Sequence, residues 1–407
     1  LPERPKPRRI ASSAQLREVW RQSRDAHGRG SAPGCDGVTP RRFKENIQRN
    51  IDEIHHELMG GNYHFGLLRA FPIPKANGKI RMICAPTVRD RLVQRLLCEH
   101  LLAGDKLGVS NTVSFGFVRD GGVPKAVKEA KKIRQHQPWI LKSDISAFFD
   151  RIDRNRLANA LGKKIGRSSI FPLLSLAIEC EVDESPPWTA TWLRDAGIVR
   201  GEGLRQGMPL SPLLSNFVLK KFDRHFERRQ IKLVRYADDF VIFARSEAEC
   251  QSLFAEARAV LLDLGHDIPD PGANSKTVIS PPDMPIEFLG YEIAVRATGG
   301  YRITVPKHAF DTIKGTLAKY HDLDAAIAKF KTLDRLMQSL SSIARSFAAV
   351  YYLGDNHAAL ESHVNNCRGR AVMKIAEQLF GPDVLKRMDD RKKAFLGLAL
   401  LPLESEW

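Results

Sequence analysis

Residues 234–243 read VRYADDFVIF and set two carboxylates, Asp238 and Asp239, side by side in an otherwise largely apolar and aromatic run. β-formers flank the pair, so the pattern predicts a tight hairpin with acids at its tip, where Asp tolerates turn geometry. Two like charges about 4 Å apart repel by roughly 4 kcal/mol at an effective dielectric near 20, so such a tip requires cations. A second short apolar stretch, in WILKSDISAFFD, ends on Asp144, with Asp150 six residues later. Carboxylates from different strands suit hard divalent ions such as Mg²⁺, which keep waters and substrate phosphates as further ligands. Two such ions about 3.5–4 Å apart can clamp the attacking and leaving oxygens of an in-line phosphoryl displacement. Asp144 and Asp238 would be the shared ligands, with Asp239 alongside. Acidic pairs are also common on solvated surfaces. The chain supplies a contrast in Asp389-Asp390, which lies in KRMDDRKKAF among charges and reads as a solvated helix face. Residue pattern alone leaves a metal site and a surface pair both open at 238–239.

The elements that would carry these residues follow from periodicity and punctuation. A helical pattern covers 13–25, and RGSAPGCDGVTP must be a loop. Thr39-Pro40 reads as an N-cap with Pro at the first helical position, opening a helix through about Met59. Residues 67–85 read as a hairpin around Ala76-Asn77-Gly78, and 87–103 as a helix. A strand is predicted at 139–145, with a helix from about Asn155. Residues 203–222 form a loop entering a helix, with Ser211 as N-cap and Pro212 first in the helix. Strand–turn–strand at 231–244, a helix at 246–264, and strands near 277–279 and 286–295 complete a mixed body. From Pro306 the pattern is helical and basic. The fold class is therefore α+β with a helical C-terminal domain.

Charge narrows the partner. Lys and Arg total 63 against 47 Asp and Glu, a formal net charge of +16, so a polyanion is the first partner to consider, nucleic acid ahead of a membrane. The six cysteines form no C-x-x-C pair, and no His spacing completes a zinc site, which points to reduced thiols. No apolar run approaches the length of a membrane span and no signal peptide is seen, so the expected location is cytoplasmic.

The order of motifs resembles the fingers and palm of reverse transcriptases, in particular the bacterial group-II-intron-like lineage. IPKANGKIRMICAPTVRDRLVQRLL (73–97) is similar to the fingers motifs, SDISAFFDRID (143–153) to polymerase motif A, and GLRQGMPLSPLLSN (203–216) to motif B. YADD (236–239) resembles motif C, NSKT (274–277) motif D and FLGY (288–291) the primer grip. APGCDGVTPRRF (32–43) resembles the N-terminal extension of intron-encoded enzymes, and SIARSFAAVYYLGDNHAALESHVNN (342–366) their thumb. The resemblance runs in order from about residue 32 to 370. It implies a right-hand polymerase fold, divided into a basic extension (1–65), fingers and palm with antiparallel sheet (66–305) and a helical, maturase-like thumb (306–407).

It also implies roles. Asp144, Asp238 and the backbone carbonyl of Ile145 would hold two Mg²⁺ ions, or Mn²⁺ in their place, with Asp239 as the third acidic member. Lys75 and Arg81 would grip the triphosphate of the incoming dNTP, and Gln206 and Gly207 would line its pocket. Lys276 would stand near the leaving pyrophosphate as a general acid. Phe149 would wall off the sugar 2′ position and favour deoxynucleotides. Arg205 stands where the family's motif B usually has Pro, which leaves the shape of the pocket loop open. The Pro-rich DIPDPGAN ahead of motif D is a second departure.

No zinc-binding or H-N-H-like endonuclease segment follows the thumb, the retron VTG is absent, and motif B ends in SP rather than SQ. The expectation is a stand-alone reverse transcriptase of the defence-associated type, copying a structured non-coding RNA into cDNA. A group II intron maturase is the alternative. Priming mode and oligomeric state stay open.

Overall fold

The structure, a computed structural model, describes residues 11–27, 32–74, 78–389 and 391–392. Lys75, the Ala76-Asn77 part of the predicted turn, the Pro-rich arm and Asp390 lie outside the described residues. The chain divides into two compact units, 1–122 with 141–279, and 123–140 with 280–407.

In the first unit, strands β1 (Arg69–Pro74) and β2 (Ile80–Ala85) pair antiparallel, with Arg69 opposite Ala85 and Pro74 opposite Ile80. A four-stranded sheet contains β3 (Trp139–Asp144), β4 (Leu233–Tyr236), β5 (Asp239–Ala244) and β6 (Val278–Ser280), in the order β4-β5-β3-β6. Every residue of β5 after Asp239 is buried, which explains its unbroken apolar run, FVIFA. Helix Ser211–Arg228 sets Phe222 against Phe240 of that strand, ring centroids 5.3 Å apart. Helix Glu247–Asp263 is capped by Ser246, which accepts from the Glu249 N–H. It buries Cys250, Leu253, Ala257 and Leu261, residues at helical spacing. Each fully buried Leu or Phe contributes about 1.5–3 kcal/mol.

In the second unit, β7 (Ile286–Phe288), β8 (Tyr291–Val295) and β9 (Tyr301–Thr304) form an antiparallel sheet. Arg134, fully buried at the end of helix Val123–Arg134, ties to it by donating to the carbonyls of Ile293 (2.7 Å), Met284 (2.6 Å) and Pro281 (3.1 Å). Its guanidinium lies 4.4 Å from the Tyr301 ring centroid. The remaining core is helical: Ile313, Leu317, Leu340, Leu360, Val364 and Ile375 join helices Lys307–Ala318, Leu333–Val350 and His357–Phe380. Among the described residues no helix is long and apolar enough to cross a membrane.

Four features differ from the sequence expectation. The helix opened by Thr39 breaks at Asn46 into Pro40–Glu45 and Ile47–Gly60. Ser211 is the first helical residue rather than the N-cap, which is Leu210, because its hydroxyl donates to the Arg205 carbonyl at 2.8 Å instead of capping. Helices Val123–Arg134, Phe171–Ile178 and Thr189–Ala196 are additional. So is β9, which falls just before the expected helical domain.

Candidate active site

The site begins with the β4–β5 hairpin. Tyr236 pairs with Asp239, leaving Ala237 and Asp238 as a two-residue turn, with Ala237 at φ +58°. An L-residue in that region costs about 1–2 kcal/mol, so the surroundings must hold it. They do so with a buried charge network. Arg235, 0% exposed, donates through Nη1 to the Ala237 carbonyl (2.8 Å) and Asn216 Oδ1 (3.2 Å). Its Nε and Nη2 reach both oxygens of Asp223, also 0% exposed, at 2.6 and 2.5 Å, and Nη2 reaches Ser114 Oγ at 2.9 Å. Gly116 lies under the turn: a Cβ there would stand 2.6 Å from the Ala237 nitrogen, so only glycine fits.

Asp144 ends β3, and the Ile145 N–H that follows donates to the Asp238 carbonyl at 3.1 Å. Motif D is fastened to the same strand, because the hydroxyls of Ser143 and Thr277, both fully buried, share a hydrogen bond of 2.7 Å. That bond sets Lys276 beside Asp144, and its ammonium pairs with Asp144 Oδ1. Burial, and then the charge of Asp144, push the Asp238 carboxyl above its ordinary range against the pull of Lys276 and Arg81. Burial, Asp144 and Asp238 together push Asp239 up to about 6.

A cleft of about 470 Å³ gathers the predicted residues Arg81, Asp144, Ile145, Phe149, Gln206, Gly207, Asp238 and Lys276 on its walls. Asp239, the first residue of β5, does not line it, and Lys75 lies outside the described residues. Asp389, the contrasting acid, is exposed as expected but sits in a loop, accepting from the Lys392 N–H at 2.8 Å, rather than on a helix face. Phe149 opens a short 3₁₀ turn, its ring edge-on to Phe148 at 5.5 Å.

The motif B loop is shaped by main-chain contacts and by the residue that departs from the family pattern. The Cys84 N–H of β2 donates to the Gln206 carbonyl at 2.6 Å, and a Cβ on Gly207 (φ +110°) would meet the Cys84 oxygen at 2.7 Å. Arg205 is 2% exposed and anchors the loop, donating to the carbonyls of Val199 and Glu202 (2.8 Å each) and to Glu181 Oε2 (2.7 Å). Arg154 takes the other Glu181 oxygen at 2.8 Å and the Gly203 carbonyl at 2.7 Å. Burial alone would raise the Glu181 carboxyl, but hydrogen bonds from Arg205 and the Gly201 N–H, with the charges of both arginines, hold it below its ordinary range. The loop thus keeps its shape without the Pro, through a guanidinium.

Sequence reasoning missed Phe117, which lines the cleft, and the Arg235–Asp223–Asn216–Ser114 support. The signal was present: Arg235 is a charge inside an apolar strand, raising the same question as the two acids beside it.

Among the described residues no three His, Cys, Asp or Glu side chains form a metal-ligand cluster. Asp144 and Asp238 nevertheless offer carboxylate oxygens beside the Ile145 backbone, a donor set that suits a hard divalent ion, and their mutual repulsion favours a cation. Here Lys276 supplies that positive charge.

Residues 73–293, more than half of the chain, match the family described as reverse transcriptase (RNA-dependent DNA polymerase). The chain belongs to this family: it is a reverse transcriptase, an RNA-directed DNA polymerase of α+β, right-hand type. Its relatives include bacterial and yeast proteins. It is 27% identical over 291 residues to protein YkfC of Escherichia coli K12, covering 61% of this chain and 72% of that protein. Identity to the group II intron-encoded protein LtrA of Lactococcus lactis is 26% over 333 residues, 65% of this chain and 52% of LtrA. The retron Ec83 reverse transcriptase of E. coli is 29% identical over 189 residues, 46% of this chain and 55% of that enzyme. The chain thus spans about half the length of the last two.

Proposed function

We propose that this chain copies a structured non-coding RNA into DNA at the cleft of Asp144 and Asp238, in the cytoplasm, as part of defence against phage. The observation that carries the polymerase chemistry is the meeting of Asp144, Asp238, Lys276, Arg81, Gln206 and Phe149 on one cleft wide enough for a nucleotide. Residues 66–305 act as fingers and palm, 306–407 as thumb and 1–65 as an RNA-holding extension.

Mg²⁺ bound by Asp144, Asp238 and the Ile145 carbonyl would neutralise the phosphoryl oxygens and lower the pKa of the primer hydroxyl. The chain's own groups do the rest. Arg81, with Lys75, holds the triphosphate, and Gln206 and Gly207 seat the nucleotide against β2. The primer 3′-hydroxyl gives its proton to water and its oxygen bonds to the α-phosphorus as the bond from that phosphorus to the bridging β-phosphate oxygen breaks. Lys276 Nζ donates a proton to the departing pyrophosphate. The Phe149 ring occupies the space a ribose 2′-hydroxyl would need.

Primer extension on an RNA template tests the chemistry: incorporation of dNTPs is expected, and incorporation of NTPs alone would refute it. Phe149→Val should admit ribonucleotides, narrowing sugar discrimination about tenfold or more, since a lost steric or polar contact of this kind is worth 1–3 kcal/mol. Unchanged discrimination removes Phe149 from that role. Sequencing the nucleic acid that co-purifies from the native locus tests the rest, with one dominant structured RNA and complementary DNA as the expected result. The likeness to LtrA favours a second reading, an intron maturase, and recovery of an intron RNA would select it.

A further inference from the structure

A second cleft in the first unit, about 390 Å³, shares no lining residue with the Asp144 cleft. Its rim carries Arg156, Lys163 and Lys164 from helix Arg154–Ile165, and Lys220 and Lys221 from helix Ser211–Arg228. Against these five cations the lining has one carboxylate, Asp153, which is spent on capping: it accepts the Arg156 N–H at 2.9 Å. Lys221 pairs with Asp263, but Lys163 and Lys164 have no ion pair among the described residues. Lys220 sits 4.6 Å from the Phe217 ring centroid and donates to the Leu107 carbonyl at 3.0 Å. Burial, then the charges of Arg224 and Lys164, hold its ammonium below the ordinary range. Asp263 engages Lys221 and, through its carbonyl, Arg156, whereas Lys163, Lys164 and Lys220 have no ion pair among the described residues and leave a place for an external anion.

The floor is not built for an anion alone. Leu157, Phe217 and Leu264 give it an apolar surface, and His266, 3% exposed, forms part of the wall, its Nδ1 without a hydrogen-bond partner among the described residues. A buried polar atom without a partner beside an apolar surface and a cationic rim matches the three parts of a nucleotide, a flat base, polar base edges and phosphate, once side-chain movement uncovers that atom. Inorganic phosphate would use only the rim. The cations are also spread over two helices, as a strand with successive phosphates requires.

We propose that this cleft holds one unpaired nucleotide of the enzyme's RNA, the base against Leu264, Leu157 and His266, and the flanking phosphates along Lys163, Lys164 and Lys220. The proposal rests on the RNA-templated reading above. It also gives the RNA a contact with the catalytic strand: the His266 ring meets Phe148 at 4.8 Å, and the neighbouring Asp267 carbonyl accepts the Ser146 N–H at 3.0 Å, two residues from Asp144.

The test is photocrosslinking of the full chain to a single-stranded RNA oligonucleotide carrying 4-thiouridine, with crosslinked peptides mapped by mass spectrometry. Crosslinks are expected within 154–165, 211–228 or at 266. The double variant Lys163→Glu, Lys164→Glu should bind the oligonucleotide about tenfold more weakly. It should also lower the salt slope by ~1.4, as each single-strand phosphate contact contributes ~0.7. Ala160→Trp, at an exposed position on the lining, should lose the crosslink while keeping the salt slope. Both variants should extend a short preformed RNA–DNA hybrid at the wild-type rate. Crosslinks confined to other segments, or wild-type binding by both variants, would overturn the proposal. Full competition by free AMP at equal concentration would overturn the strand assignment in favour of a mononucleotide. Failure of the wild type to extend the hybrid would instead strike the polymerase reading.

Discussion

The β4–β5 and β7–β8 hairpins both turn through two residues, Ala237-Asp238 and Leu289-Gly290, and both begin the turn with an L-residue at positive φ, +58° and +54°. Their supports differ. At the first, Arg235 and Asp223, both without solvent exposure, grip the turn through five side-chain hydrogen bonds from the guanidinium. At the second, Gly290 (φ +80°) eases the other turn position, and Tyr291 packs edge-on to Tyr351 at 5.7 Å while its hydroxyl donates to the Val350 carbonyl at 2.6 Å. There, one glycine, an aromatic pair and a single hydrogen bond suffice. A tip that must hold repelling carboxylates in place needs directional bonds, and these are worth most where water is absent.

The largest expected effect breaks the comparison at its chemical end. Asp238→Asn should reduce DNA synthesis by about 10³-fold or more, as losses of transition-state charge stabilisation do, while the protein stays folded. Retained activity in steady-state primer extension would remove the hairpin from the chemistry. Next comes the support. Asp223→Ala strands a buried guanidinium and should destabilise the protein by about 3–5 kcal/mol in urea unfolding. Tyr291→Phe, which loses one hydrogen bond at the other hairpin, should cost about 1 kcal/mol. Equal losses would abolish the distinction.

The third effect is electrostatic. Asp239 is raised from its ordinary 3.8 to about 6 by burial and its acidic neighbours, so the folded protein binds the proton more tightly than the unfolded chain. Its unfavourable contribution is therefore full above pH 6 and fades as pH falls towards 4. In metal-free protein Asp239→Asn should gain roughly 2–3 kcal/mol at pH 8 and little at pH 4, at 1.36 kcal/mol per pKa unit. A gain independent of pH would refute the charge explanation. The smallest effect is conformational. Ala237→Gly and Leu289→Gly each relieve a positive φ and should alter stability by no more than about 1 kcal/mol. Ala237→Gly should also slow extension, because it loosens the tip that bears Asp238.

Much of this was legible in the sequence. The acids, the flanking β-formers and the ordered motifs pointed to the hairpin and β3, and the Thr39 cap stands where its side chain suggested. What escaped was set by contacts distant in sequence. FPLLSLAI (171–178) is short and apolar almost throughout, so periodicity cannot tell its helix from a strand. Ser211 resembles a cap in every local respect, and only the fold brings the Arg205 carbonyl to its hydroxyl. Arg205 leaves the shape of the pocket loop open in the sequence, and Glu181, 24 residues away, settles it in the fold.

The bond from the Ile145 amide to the Asp238 carbonyl joins the end of one strand to the turn of another. Because it runs between main chains, the carboxylates on either side of it travel as one piece when the surrounding sheet breathes. Their spacing then survives motions that would separate two independently mounted loops. Amide hydrogen exchange at Ile145 is a natural clock for this clasp: its rate reports how often the two halves of the site part company.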